Sequence, residues 1–352
     1  MSTSVLPLAV PVTFPVEPRE IGPSAIAAWV FPPAPAPQNL SLPPLWLLCI
    51  PGATYRGLAY FDRQVPGFSP LAYSMARVLA AQGIGSVVID NLGTGDSPVP
   101  PHVSGWQLSR QVYADAYRQL VAQMRERLTH GTLISGLAPV DEQRLFVVGV
   151  GHSMGAMLAI ALQASYGACD ALCLLGWATL AMADLLPAAD REALAATIPS
   201  GGYLPSAIRA SAGTRALFYS PAVPAALIGL DEQEATDVPA RVLECLRPGA
   251  LREEAALLRC PLFLGFAADH EVTTTPHEEV AAYPAARSVT LFVQAQAHHC
   301  ANFEPTRFDL WDEIAAWLRH KAVQARGGEP VPSLFWQEQS DLFATQPLAP
   351  SL

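Results

Sequence analysis

Residues 145–166 read LFVVGVGHSMGAMLAIALQASY: an apolar run, then a Gly-x-Ser-x-Gly pentapeptide at 151–155, then a segment rich in Ala, Leu and Met. This order predicts a β-strand, a tight turn and an α-helix. A serine at such a junction lies on a strained turn with its hydroxyl exposed above a sheet, and the flanking glycines let strand and helix pass closely. Ser153 is therefore the candidate nucleophile, and the rest of the chain must supply a base, an acid and an oxyanion hole.

The candidate base is a histidine near the end of the chain, because in this arrangement the partners follow in the order serine, acid, histidine. His298 and His299 follow the strand-like run 288–293, which places both on a loop at the carboxyl end of a late strand. The residues alone leave both open. We expect His152, inside the pentapeptide, to form part of the pocket wall, since a residue adjacent to the nucleophile points away from it.

The candidate acid must end another strand, orient the imidazole and stabilise its cation. The apolar run 261–265 predicts a short strand, and Asp269 follows it, so we predict Asp269 as the acid. Glu271 is the neighbouring alternative. Asp184, which follows the earlier strand-like run 171–176, is the candidate if the acid belongs to that strand instead.

The oxyanion hole requires two backbone N–H groups, one of which comes from the residue after the nucleophile, here Met154. The run 45–50 predicts a buried strand, and the loop after it reads PGATY at 51–55. We predict Ala53 as the second donor, with Thr54 as the alternative. Pro51 stands where such enzymes often have histidine, but the predicted role belongs to the backbone and survives this difference.

With these parts the chain resembles the α/β-hydrolase superfamily over about residues 45–320. The strand-like run 85–90 and the glycine-rich loop 91–97 fit the resemblance. Prolines at 98, 100 and 101 block the helix that a dinucleotide-binding loop would open. The resemblance implies a mostly parallel eight-stranded sheet with helices on both faces, an inserted helical lid and no cofactor.

Three short strings resemble bacterial lactone hydrolases of the zearalenone hydrolase type: GATY at 52–55, GTR at 213–215 leading to Phe218, and HCANF at 299–303. This resemblance favours His299 over His298 as the base. It implies Ser153, Asp269 and His299 as the triad and an apolar ester or lactone, aromatic ones included, as the small-molecule substrate. The strings fit a broader set of esterases equally well.

The same triad also serves thioesterases and acyltransferases of secondary metabolism, and a non-catalytic binding protein can keep the fold. An ester hydrolase would work through an acyl-enzyme intermediate. Side chains expected to line its pocket are Thr54, Tyr55, His152, Trp177, Phe218 and Tyr219.

The predicted organisation is a core at 1–177 and 259–325, which includes an N-terminal hairpin at 12–16 and 25–31. Residues 178–258 are too long for an ordinary connection and predict a helical cap or lid. Helices are expected at 71–82, 108–128, 156–166 and 307–325. The tail, 326–352, is expected to pack on the core or on a partner subunit.

Composition excludes several classes of protein. Apolar residues make up 51% and charged residues 15%, which supplies a large core and is compatible with a homodimer. A net charge of −10 argues against binding to nucleic acid or anionic membranes. No apolar run approaches a membrane span, and the N-terminus lacks a basic signal region, so we expect a cytoplasmic protein. The six dispersed cysteines predict free thiols rather than disulfides or a metal site.

Overall fold

The computed structural model describes residues 9–35, 43–180, 199–325 and 327, without the side chains of 244–246. Ten strands occur in this part of the chain. They are β1 (Val10–Val16), β2 (Ser24–Phe31), β3 (Leu45–Ile50), β4 (Ile84–Ile89), β5 (Phe146–His152), β6 (Ala171–Leu175), β7 (Tyr203–Leu204), β8 (Val238–Pro239), β9 (Pro261–Ala267) and β10 (Ser288–Gln294).

Eight of these strands form one sheet in the order β1-β2-β4-β3-β5-β6-β9-β10. Strands β4, β3, β5, β6, β9 and β10 run parallel, whereas β1 pairs antiparallel with β2 and β2 antiparallel with β4. The central strands are buried at every residue, as parallel strands covered on both faces must be. The predicted fold class, a mostly parallel eight-stranded sheet with helices on both faces, is confirmed.

The α-helices are α1 (Gly57–Phe61), α2 (Met75–Ala81), α3 (Arg110–Thr129), α4 (Met154–Tyr166), α5 (Ala212–Phe218), α6 (Ala225–Gln233), α7 (Arg252–Ala256) and α8 (Arg307–Gln324). Helices α3 and α4 pack in the core on one face of the sheet, and α2 and α8 pack on the other. The helices predicted at 108–128, 156–166 and 307–325 correspond to α3, α4 and α8, and their ends differ by at most two residues. The helix predicted at 71–82 begins only at Met75, because Ser74 caps it by accepting the N–H of Arg77.

We call residues 176–260, between β6 and β9, the insertion. A helical cap was predicted here. The described part of the insertion contains the helices α5, α6 and α7 and also a two-stranded sheet of β7 and β8. Buried carboxylates of the core hold it: Glu279 accepts the N–H of Thr179 at 2.5 Å, and Glu304 accepts the N–H of Ser220 at 2.9 Å. Hydrogen bonds to ionised groups are the stronger kind, so these contacts fix the insertion to the core.

Asp184 and nearly all of the predicted tail, 326–352, lie outside the described residues. Within the described ranges, no helix is both long enough and apolar enough to cross a membrane.

Candidate active site

The predicted turn at Ser153 joins β5 directly to α4. Ser153 has φ +52° and ψ −119°, a backbone conformation that residues other than glycine rarely adopt. Such a conformation costs on the order of 1–3 kcal/mol and persists only where the surroundings enforce it. Here the N–H of Ser153 donates to Leu175 O at 2.8 Å, which ties the turn to the end of β6.

Both flanking glycines are required by close backbone contacts. A Cβ atom at Gly151 would lie 2.3 Å from Gly155 O, and one at Gly155 would lie 2.1 Å from Ile50 O. Because no side chain fits at these distances, only glycine lets α4 start so close to β3 and β5. The pentapeptide therefore fixes where the serine is presented, at the carboxyl edge of the sheet.

His299 and Glu271 form a buried hydrogen-bonded pair. His299 Nδ1 lies 2.5 Å from Glu271 Oε1, and the two side chains are only 2% and 3% exposed. The carboxylate also accepts the N–H of Ala267 at 3.0 Å and of Val272 at 2.8 Å. With Nδ1 donating its proton to the carboxylate, the Nε2 atom of His299 is left to act as a base.

The imidazole of His299 lies over the end of β6. This strand is the neighbour of β5, which leads into Ser153. A Cβ atom at Gly176, the first residue after β6, would lie 3.0 Å from His299 Cε1. The preceding residue, Leu175, is the one whose carbonyl accepts the N–H of Ser153. The structure thus brings the predicted nucleophile and the favoured histidine to one edge of the sheet.

His298, the alternative base, points elsewhere. Its Nδ1 atom hydrogen-bonds the carbonyl of Ala216 at 2.8 Å, and its ring lies 4.5 Å from the ring of His270. The geometry therefore favours His299 over His298.

The prediction of Asp269 as the acid is revised by the structure, which places Glu271 against the histidine. The chain after β9 continues to pair with its neighbour: Ala268 N–H donates to Gln294 O, and Asp269 N–H donates to Ala297 O. This pairing leaves Asp269 exposed. Parallel pairing continues to His270, which bridges to His298, and the Glu271 carboxylate of the next residue reaches His299.

The loop after β3 lies directly against the serine. A Cβ atom at Gly52 would lie 3.2 Å from Ser153 Cβ, and the next residue, Ala53, lines the same cavity as Ser153. Met154 is the first residue of α4, and the N–H groups of a first helical turn have no partner inside the helix. Both predicted donors thus belong to segments that border Ser153.

A cavity of about 50 Å³ opens beside the serine. It is lined by Ala53, Ser153, Met154, Met157, Trp177, Val238, Val242 and Leu243. Apart from the serine hydroxyl and the indole nitrogen of Trp177, these side chains are apolar. Among the predicted pocket residues, Trp177 lies in this wall.

His152 lies behind the serine as a buried neutral side chain. Its Nε2 atom hydrogen-bonds the carbonyl of His299 at 2.9 Å, and its ring stacks on Tyr60 with centroids 4.1 Å apart. Burial, followed by the nearby His299, lowers the pKa of His152 well below its ordinary value. His152 therefore supports the histidine loop rather than lining the cavity.

The other predicted pocket residues, Thr54, Tyr55, Phe218 and Tyr219, surround a buried ion pair. Asp231 accepts hydrogen bonds from Arg209, from Arg63 at 2.5 Å, and from the hydroxyls of Tyr55 at 2.8 Å and of Tyr219. We call Arg63, Arg209, Asp231 and these two tyrosines the Asp231 cluster. Its charged members were not predicted from the sequence, because no local motif marks them.

The cysteines whose side chains the structure describes, Cys49, Cys169, Cys173, Cys260 and Cys300, are free and buried. In the part of the chain that the structure describes, no group of three His, Cys, Asp or Glu side chains is arranged to hold a metal ion.

A parallel sheet with a Gly-x-Ser-x-Gly turn between a central strand and its helix defines an α/β hydrolase. The sequence profile of the alpha/beta hydrolase family matches residues 47–309, so this chain belongs to that family. A comparison with curated proteins finds no match.

Solved structures with this fold include a proline iminopeptidase of Mycobacterium smegmatis, with 18% identity, a TM-score of 0.57 and coverage of 89% of this chain and 100% of the other. A thermophilic esterase of Thermogutta terrifontis has 17% identity and a TM-score of 0.56, over 88% and 99% of the two chains. The N-acyl homoserine lactonase AidH has 16% identity and a TM-score of 0.53, over 88% and 97%. At such identities these likenesses establish the fold alone.

Proposed function

We propose that this protein is a serine hydrolase that cleaves carboxylic esters or lactones with an apolar acyl group. One observation carries the proposal: the strained Ser153 turn lies beside the end of β6, over which the buried His299–Glu271 pair is held. Esterase and lactonase both occur among the proteins of similar structure, and both reactions require a nucleophile, a base and an oxyanion hole.

In the proposed reaction, His299 Nε2 takes the proton of Ser153 Oγ as Oγ attacks the carbonyl carbon of the substrate. The N–H groups of Ala53 and Met154 bind the oxyanion, and the Glu271 carboxylate stabilises the imidazolium. The tetrahedral intermediate then expels the alcohol, which takes its proton from His299. Water, deprotonated by His299, then attacks the acyl-enzyme, and His299 returns that proton to Ser153 Oγ as the acid is released. One oxyanion donor contributes about 10²–10³ in rate.

The cavity supports a short, uncharged acyl group. Its described lining carries no ionisable side chain, and its volume of about 50 Å³ suits a group of a few carbon atoms. Trp177, Val238, Val242 and Leu243 belong to the insertion, which therefore supplies one wall of the cavity. We assign residues 178–258, the predicted cap within the insertion, the role of a lid that encloses the acyl group.

Covalent labelling tests the nucleophile. We expect incubation with a fluorophosphonate to add one phosphonyl group to the wild-type protein and none to Ser153→Ala, as measured by intact mass. The label forms because the activated Oγ displaces fluoride from phosphorus. An adduct that persists in Ser153→Ala, or no adduct on the folded wild type, contradicts the proposal. Faster turnover of a carrier-bound thioester than of the matching oxygen ester would assign the same triad to a thioesterase.

Enlarging the cavity should change the preferred acyl length. Val242 is buried and lines the cavity, so Val242→Ala is expected to raise the ratio of kcat/KM for hexanoyl over acetyl esters by about 10-fold, since hydrophobic pockets discriminate methylene groups by about 1–3 kcal/mol. Val223→Ala is the matched control, because Val223 is an equally buried valine of the insertion that does not line the cavity. Equal ratios in both variants would assign the acyl group to another surface.

A further inference from the structure

Thr54, next to the proposed oxyanion donor Ala53, has a strained backbone. Its φ angle is +66°, a value that is exceptional for a β-branched residue. The residue is only 7% exposed. Such strain persists where neighbouring contacts enforce it, and strained residues cluster at functional sites. The conformation of Thr54 sets the direction of the loop that presents the N–H of Ala53.

Three hydrogen bonds hold Thr54, and two of them come from the insertion. Its hydroxyl donates to the carbonyl of Ala53 at 2.6 Å and accepts from Arg209 Nη1 at 2.5 Å. Its carbonyl accepts the N–H of Thr236 at 2.9 Å. Arg209 and Thr236 lie far along the chain from Thr54, so the shape of this loop depends on a separate part of the protein.

Arg209 is itself held rigidly. It is 1% exposed, pairs with Asp231, and lies with its guanidinium carbon 3.7 Å from the centre of the Tyr55 ring. Burial alone lowers the pKa of Arg209, but Tyr55 and Asp231 raise it above its ordinary value, so the side chain stays a cation. Breaking a buried pair of this kind is costly, which keeps the guanidinium in one orientation.

We propose that Arg209 is a positioning residue for catalysis: by holding the Thr54 hydroxyl, it fixes the loop that aims the N–H of Ala53 at the oxyanion. The inference rests on the proposed function of Ser153. The hydrogen bond from Arg209 to Thr54 joins the insertion, which holds Arg209 and Asp231, to the core loop that holds Ala53 and Thr54. Docking of the insertion therefore completes the oxyanion hole.

The test removes the Thr54 hydroxyl, which accepts from Arg209 and donates to the carbonyl of Ala53, without touching the ion pair. Thr54→Val is nearly isosteric and lacks the hydroxyl, but it leaves the ion pair between Arg209 and Asp231 in place. We expect its kcat on a short-chain ester, and its rate of phosphonylation by a fluorophosphonate, to fall about 10²-fold, as on loss of an oxyanion donor, with KM changed by less than about threefold. Thr54→Ser restores the hydroxyl and should recover both rates to within about threefold of wild type.

Arg63 provides the control for loss of stability. Arg63 donates to the other oxygen of Asp231 and to Glu234, each at 2.5 Å, and it is as buried as Arg209. Arg63→Lys and Arg209→Lys should lower the melting temperature by similar amounts, because in each case the single ammonium group of lysine cannot reproduce the forked hydrogen bonds of the guanidinium. Only Arg209→Lys should lower kcat about 10²-fold, since the Arg209 guanidinium bonds Thr54.

The outcomes separate the two proposals. If the folded wild type is not phosphonylated at Ser153, the proposed function fails and this inference fails with it. If the wild type is phosphonylated but Thr54→Val reacts as fast, only the role of Arg209 is overturned. Equal losses of kcat in Arg63→Lys and Arg209→Lys would likewise show that the Asp231 cluster acts through stability alone.

Discussion

Ser153→Ala is expected to lower kcat for a short-chain ester by about 10⁴-fold or more while the protein stays folded. Alanine keeps the Cβ atom and the backbone of the turn but removes the oxygen that would form the acyl-enzyme. Residual hydrolysis would come from the oxyanion donors and from binding alone. The check is a steady-state assay beside a thermal melt, and more than about 1% of wild-type kcat in a verified Ser153→Ala sample would disprove the nucleophile.

Ser153→Gly is the control that tests whether the backbone at residue 153 is strained. It should be equally inactive, yet more stable than Ser153→Ala by about 1 kcal/mol, because only glycine adopts φ +52° and ψ −119° without steric cost. Urea unfolding of both variants gives the difference in the free energy of unfolding. A glycine variant that is the less stable of the two would mean that the turn is not strained.

The serine turn was predictable from sequence because all its determinants are local. The apolar run before Ser153 forms β5, the run after it forms α4, and the two glycines meet backbone atoms at distances that exclude a side chain. The central strands were predictable for a related reason, since parallel strands covered on both faces appear as unbroken apolar runs.

The partner of the histidine was harder to predict, because the choice depends on pairing between distant segments. Asp269 and Glu271 both follow the end of β9 at Ala267, and a sequence shows only that each is close to it. The N–H of Asp269 pairs with Ala297, which is remote in sequence, and this contact leaves the aspartate exposed.

The charged members of the Asp231 cluster were not predictable from local pattern. Arg209 and Thr54 are 155 residues apart, and neither lies in a motif with a known charge partner. The resemblance instead drew attention to Arg215, which in the structure pairs with Glu232 at the surface. Only the packing of the insertion on the core shows which arginine is buried against the oxyanion loop.

Glu271→Gln is expected to lower kcat by about 10³–10⁴-fold, the size of effect seen when the acid of such a triad becomes an amide. Glutamine fits the same space, but its single amide oxygen can replace only one of the two carboxylate oxygens, Oε2 and Oε1, that accept the N–H groups of Ala267 and Val272. It lacks the negative charge that stabilises the imidazolium of His299. It can also donate to Nδ1, which would place the imidazole proton on Nε2 and leave no base facing Ser153.

Asp269→Asn is the matched control, since it makes the same chemical change two residues away on an exposed side chain. We expect its kcat to stay within about twofold of wild type, because a screened surface charge contributes little. Both variants should be compared at one pH, with phosphonylation of Ser153 as a second readout. A large loss in Asp269→Asn with a mild effect in Glu271→Gln would return the acid to Asp269 and require the loop after β9 to rearrange when substrate binds. We expect the opposite, a large loss in Glu271→Gln and little change in Asp269→Asn. That result would mean that the buried Glu271 carboxylate, held by two backbone N–H groups, already occupies its working position before the substrate arrives.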